Sequence, residues 1–305
     1  MSKNDLSAEL FSDLLGQNLA VVQLKATLIQ GRVSNAYLFS GPDGIGKRLA
    51  ALRFLEAVLT SGCDPSHRVR RLLENKNHPD FLWIEPTYLH QGRLLPKSQA
   101  ENEAISYRTR PQIRLEQIRG LTQFLSKQPV ESDKGIVLIE EVDAMAEGAA
   151  NALLKTLEEP GHGLIVLLTA APERLLSTIK SRCQEICFRC LDLDNLKKVL
   201  SKSQGIRQEF FLSGLDQPEL FRLAGGSPGA LIQHCNAWKE VPEEIRTRIS
   251  DLPSHSKEVL SLARDLTELL NAEQQLWLID WLQQHIWLKA NDVVSLKRLE
   301  RLRIH

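Results

Sequence analysis

Short, continuous apolar runs separated by helical patterns fill the first 190 residues. Ala36-Tyr37-Leu38-Phe39-Ser40 ends at Gly41. Ile136–Ile139 is rich in β-branched side chains, Leu164–Thr169 is a third run, and residues 185–189 make a weaker fourth. Runs of this length, bounded by turn residues and alternating with helices, predict buried parallel strands of an α/β domain. Residues 87–110 are polar without clear periodicity and read as a loop insertion.

After Cys190 the pattern becomes helical. Short helices are predicted at Leu193–Ser201, Ile206–Leu212 and Pro218–Leu223. The turn Gly225-Gly226-Ser227-Pro228-Gly229 and a further helix follow. From Val241 onward there is no strand signal. Leu278, Trp281, Leu282, His285 and Ile286 share one helical face, and Leu296, Leu299 and Leu302 recur three apart within Val293–Ile304. No longer repeat is evident. The expected plan is a P-loop α/β domain with a parallel sheet over 1–190, a small helical lid domain over 191–236, and an all-α C-terminal domain over 237–305.

Composition narrows the setting. The 305 residues carry 38 basic and 38 acidic side chains, a formal net charge of zero. A chain that grips nucleic acid alone usually shows a basic excess, so any DNA contact is expected to be shared with other subunits or indirect. No segment reaches the roughly 20 apolar residues of a membrane span. Five cysteines form no disulfide pattern, as in a reducing cytoplasm.

The first chemical motif follows the first run. Gly41-Pro42-Asp43-Gly44-Ile45-Gly46-Lys47 fits a phosphate-binding P-loop between a strand and a helix. Gly41, Gly44 and Gly46 let backbone N–H groups converge on phosphate oxygens, and Lys47 would reach the β/γ-phosphates. The next position normally offers a hydroxyl to Mg²⁺. Here it is Arg48, which has no acceptor atom. The second motif is the Glu140-Glu141 pair ending Ile136–Ile139. An Asp-Glu pair at such a strand end holds the metal and polarises the attacking water. Glu140 stands in the Asp position with an extra methylene. Both metal-holding positions are altered, which predicts slow or absent hydrolysis, with ATP binding left open.

Two longer strings are more specific: residues 151–160, Asn-Ala-Leu-Leu-Lys-Thr-Leu-Glu-Glu-Pro, and residues 175–184, Leu-Leu-Ser-Thr-Ile-Lys-Ser-Arg-Cys-Gln. With Gly16-Gln17 and His78-Pro79-Asp80 before Trp83, they resemble bacterial clamp-loader subunits of the AAA+ family over roughly residues 10–235. The second string is nearer the delta-prime branch than the gamma/tau motor branch. The resemblance implies that Arg182 is an arginine finger, reaching ATP on an adjacent subunit, and that Thr169 occupies a sensor position. Thr169 also reads simply as a strand-end hydroxyl bonded to backbone. The resemblance further implies gamma/tau and delta subunits as partners, with the sliding clamp and primed DNA met through the complex, and makes the C-terminal domain a ring-forming collar.

Departures from the family pattern matter. Gly226–Ala230 matches a second-sensor region yet offers no Arg. Many relatives carry a four-cysteine zinc module after the P-loop helix. Only Cys63 stands there, with His67 and His78 nearby, so no zinc or other metal is expected. Cys183, Cys187 and Cys190 have iron–sulfur-like spacing. Strand alternation would place Cys183 and Cys187 on one face and Cys190 on the other, which argues against a cluster.

Three functions compete. A scaffold subunit supplying Arg182 in trans predicts little ATPase in the isolated chain. A gamma/tau-like motor, favoured by intact Lys47 and Glu141, predicts Mg²⁺-dependent turnover. A stand-alone adaptor predicts no co-purifying subunits.

Overall fold

The computed structural model describes residues 10–60, 67–103, 107, 109–161, 163–202, 217–251 and 255–289. The predicted helices at Ile206–Leu212 and Val293–Ile304, and Cys63, lie outside these residues. The chain divides into two compact units, Met1–Cys190 and Leu191–His305.

The first unit is built on a five-stranded parallel sheet of β1 (Ala36–Ser40), β2 (Phe81–Ile84), β5 (Ile136–Ile139), β6 (Leu164–Thr169) and β7 (Gln184–Cys187), in the order β2-β5-β6-β1-β7. Every residue of β1, β5 and β6 is buried, so these strands read as uninterrupted apolar runs. Alternation along β1 serves two layers. Tyr37 and Phe39 turn toward Phe54 of α2 (Lys47–Leu59), with ring centroids 5.0 and 6.5 Å away. Ala36 and Leu38 join the opposite cluster, with Ile118 and Leu121 of α5 (Leu115–Leu125) and Leu153 and Leu157 of α6 (Glu147–Glu158). Helices on both faces make a three-layer α/β/α domain. Ahead of it, α1 (Asn18–Gln30) packs against α2 and β7.

Strand β7 lies on an edge with only Ile186 buried, which explains its weak apolar signal. On the other edge, β2 (Phe-Leu-Trp-Ile) is as short as β5 but carries one β-branched residue against three and has Leu82 and Trp83 only half-buried, so the sequence does not mark it as a strand. The same motif that precedes β2 secures it. The Asp80 carboxylate accepts backbone N–H groups of Val130, Glu131 and Ser132 at 2.6–2.8 Å and the Ser132 hydroxyl at 2.9 Å. His78 Nδ1 accepts the Asp80 N–H. The motif therefore clamps the turn that leads into β5.

The loop expected over 87–110 is corrected. Within the described residues it holds an antiparallel hairpin, β3 (Thr87–His90) and β4 (Arg93–Pro96), then α4 (Lys97–Asn102). Gln91 and Gly92 form the two-residue connection, both at positive φ (49° and 77°), as a type I′ turn requires. Tyr88 stacks on Tyr107 at 4.2 Å. Thr87 exchanges backbone bonds with Gln112, and Lys97 N–H reaches the Pro86 carbonyl, so the hairpin is tied at its base. Helix α3 (His67–Glu74) is joined to α2 by ion pairs, Arg70–Glu56 at 2.9 Å and Arg53–Glu74 at 3.3 Å. Arg53 also meets Asp13 at 2.7 Å.

The second unit is helical in its described residues: α8 (Leu193–Lys202), α9 (Pro218–Ala224), α10 (Pro228–Glu240), α11 (Glu243–Ser250), α12 (Ser256–Leu269) and α13 (Ala272–Lys289). Ser227 caps α10 by accepting the Ala230 N–H, with Pro228 in the first turn. Leu278, Trp281 and His285 of the predicted face are buried, and Leu282 and Ile286 half-buried. Trp238, Trp281 and His285 stack in series at 4.5 and 4.8 Å. The two His285 ring nitrogens lie 2.8 Å from the Glu219 carboxylate and 3.1 Å from the Ser250 carbonyl, so a polar ring is accommodated in the core without an unpaired nitrogen.

Candidate functional site

The site groups converge at the C-terminal ends of the central strands, the usual ligand edge of an open parallel sheet. β1 leads into the P-loop, β5 into Glu140 and Glu141, and β6 ends on Thr169 between them. The sequence therefore brings Gly41, Gly44, Gly46, Lys47, Arg48, Glu140, Glu141 and Thr169 to one edge. Gly41 is at φ 147°, and a Cβ there would stand 2.4 Å from the Phe188 carbonyl oxygen. Gly46, at φ 102°, is the N-cap residue of α2.

The polar side chains at this edge have partners from their own chain. The Lys47 ammonium donates to the carbonyls of Gly41 and Pro42 and lies 3.5 Å from Asp43. It is only 7% exposed, and burial pulls its pKa down, with Asp43 opposing the shift. Arg48 forms a bidentate pair with Glu140 through Nε–Oε1 and Nη2–Oε2, the second at 2.9 Å. Its guanidinium also lies 5.7 Å from the Trp83 ring. Lys97, the first residue of α4, donates to Glu141 Oε1 at 2.6 Å. Burial of this ammonium works to lower its pKa, but the bond and charge of Glu141 outweigh it and the net shift is upward. Glu141 itself sits at φ 47°, a left-handed conformation that L side chains seldom adopt. Thr169 donates its one hydroxyl proton to Asp143 at 2.7 Å and accepts the Ala171 N–H.

Both carboxylates that would serve a divalent metal are engaged by cations of the chain itself. The carboxylate that would hold it is bridged by a guanidinium, and the catalytic-glutamate position faces an ammonium. Among the described residues no group of three His, Cys, Asp or Glu is placed to hold a metal ion.

Arg182 belongs to the other end of the sheet. It precedes β7, whose first residue pairs with Tyr37 near the start of β1, whereas the P-loop follows the end of β1. A five-residue strand spans about 16 Å. Arg182 follows the short α7 (Ser177–Lys180) and bonds to Glu158 and to the Thr178 carbonyl.

Residues 16–192 match the family model described as "DNA polymerase III, delta subunit", and residues 194–305 match "Cyanobacterial DNA polymerase III delta prime, C-terminal domain". The chain belongs to the delta-prime family of DNA polymerase III. It is 37% identical over 165 residues to DNA polymerase III subunit delta' of Bacillus subtilis, covering 52% of this chain and 44% of that protein. It is 34% identical over 205 residues to subunit delta' of Pseudomonas aeruginosa, covering 64% and 54%. The chain thus spans about half the length of these curated relatives. A crystal structure of a DNA polymerase III gamma subunit-related protein from Thermotoga maritima shares the fold, with a TM-score of 0.54 at 20% identity over 91% of this chain and 89% of that one.

Several site residues of this delta-prime family member escaped sequence reading. Lys97 lies in the stretch that the sequence predicts as a loop, and Asp143 and Glu158 carry no pattern pointing to Thr169 and Arg182. The cysteine geometry also differs from expectation. β7 begins at Gln184, so Cys183 is not in its alternation. It packs against the Leu157–Ile179 cluster while Cys187 and Cys190 are exposed. Burial pushes the Cys183 thiol up to about 12. Maleimide labelling of the native chain at pH 7.5 is expected to modify Cys187 and Cys190 at least tenfold faster than Cys183. Equal rates would show that Cys183 is not held in the core.

Proposed function

We propose that this chain acts as a non-motor delta-prime subunit of the DNA polymerase III clamp loader, helping to load the sliding clamp onto primed DNA in the cytoplasm. It works as a scaffold beside gamma/tau and delta subunits. Its AAA+ domain presents Arg182 to ATP on a neighbour, residues 191–236 serve as the lid, and residues 237–305 form its part of the collar. The observation that carries this reading is the Arg48–Glu140 pair, a fixed cation bound to the carboxylate that a motor subunit would use for Mg²⁺. The net charge of zero supports DNA contact through the assembly.

The gamma/tau motor reading retains two supports: Lys47 and Glu141 are present, and tau of Bacillus subtilis is 31% identical over 186 residues. The purified chain is expected to show no Mg²⁺-stimulated ATP turnover above a protein-free control. Robust turnover abolished by Lys47→Ala would instead identify a motor. Failure to co-purify with clamp-loader subunits would favour the stand-alone adaptor.

A further inference from the structure

The two strings that carry the family resemblance meet side chain to side chain. Glu158 is the last residue of α6, and Arg182 follows α7. Arg182 Nη2 donates to Glu158 Oε1 at 2.6 Å, and Nη1 donates to the Thr178 carbonyl at 2.9 Å. The neighbours of both residues are anchored in one apolar cluster: Leu157 beside Glu158, Ile179 in α7, and Cys183 beside Arg182. The exposed ends are therefore mounted on a fixed base.

An arginine on an open surface samples many rotamers, and holding it for one geometry carries an entropic cost. Here two bonds from two elements hold the guanidinium while its side chain remains 34% exposed. Two of its five N–H donors are engaged, leaving three for an outside anion. An exposed ion pair of this type contributes little to stability, which leaves orientation as its principal effect. We infer that Glu158 is a positioning residue for Arg182, aiming the guanidinium outward before a neighbouring subunit docks. This rests on the reading of Arg182 as the finger.

The test uses the reconstituted clamp-loader complex carrying Glu158→Ala, Glu158→Gln, Arg182→Ala or the Glu158→Ala/Arg182→Ala pair. ATP turnover is measured with sliding clamp and primed DNA, and thermal unfolding is measured for each chain. Glu158→Ala is expected to lower kcat about two- to tenfold, the factor for ordering one long side chain, with KM and the unfolding midpoint unchanged. Glu158→Gln, whose amide oxygen accepts the same bond, is expected to retain at least half the wild-type kcat. The double variant is expected to match Arg182→Ala. If Arg182→Ala lowers turnover but Glu158→Ala does not, the positioning role is wrong and the finger stands. A faster Glu158→Ala complex would also overturn it, showing a restraint. No effect of Arg182→Ala would remove the finger reading, and this inference with it.

Discussion

Alanine at position 182 is expected to lower ATP turnover at the neighbouring subunit's site on the order of 10³-fold, with a matching loss of ATP-driven clamp loading by the assembled complex. A fixed positive fork at the γ-phosphate stabilises charge that develops in phosphoryl transfer, and its removal leaves that charge without a partner. Geometry supports action in trans. Arg182 stands before the N-terminal end of β7 and the P-loop stands after the C-terminal end of β1, so the two lie at opposite ends of a parallel sheet. Lysine is a poor replacement, because a single ammonium cannot meet two oxygens in a plane or keep the paired bonds to Glu158 and Thr178. A clamp-loading assay on complexes rebuilt with Arg182→Ala and Arg182→Lys checks this. Wild-type loading by the alanine variant would sink the assignment.

Asp80→Ala is expected to destabilise the first unit by about 3 kcal/mol, from the loss of charge-assisted bonds and the desolvated donors left behind. The carboxylate is 2% exposed and takes three backbone N–H groups and one hydroxyl. Burial alone would raise its pKa, but those bonds outweigh burial and hold it below the ordinary value of 3.8. A depressed carboxyl stabilises the fold fully above its unfolded pKa. That contribution fades as pH falls from about 4 through the lower folded value. Urea unfolding at pH 7 and pH 3 should therefore show a smaller gap between wild type and Asp80→Asn at the lower pH. A gap that widens on acidification would contradict the clamp.

What was legible in the sequence follows from burial. β1, β5 and β6 are covered on both faces, so all but the last positions of β1 and β6, Ser40 and Thr169, are apolar and each strand announces itself. β2 is as short as β5 but has one β-branched residue against three and is half-buried at its centre, and the hairpin of β3 and β4 lies on a partly exposed surface without a regular apolar period. The P-loop and Glu140-Glu141 were legible because backbone geometry and strand ends demand particular residues at fixed spacing. Their partners were not. Lys97 reaches Glu141 across 44 positions and Glu158 reaches Arg182 across 24, and nothing local marks either pair. Arg48 was read as a missing metal ligand, whereas the structure gives it a positive role as the counter-ion of Glu140.

In the function proposed above, Arg48 and Lys97 stand in for the metal at this P-loop site. Calorimetric titration of ATP into the purified chain, with excess Mg²⁺ and again with EDTA, tests it most directly. The expected result is the same isotherm in both, whether that is no heat or weak binding. Affinity at least tenfold higher with Mg²⁺ would show that Arg48 and Lys97 yield to the metal, and would contradict the account.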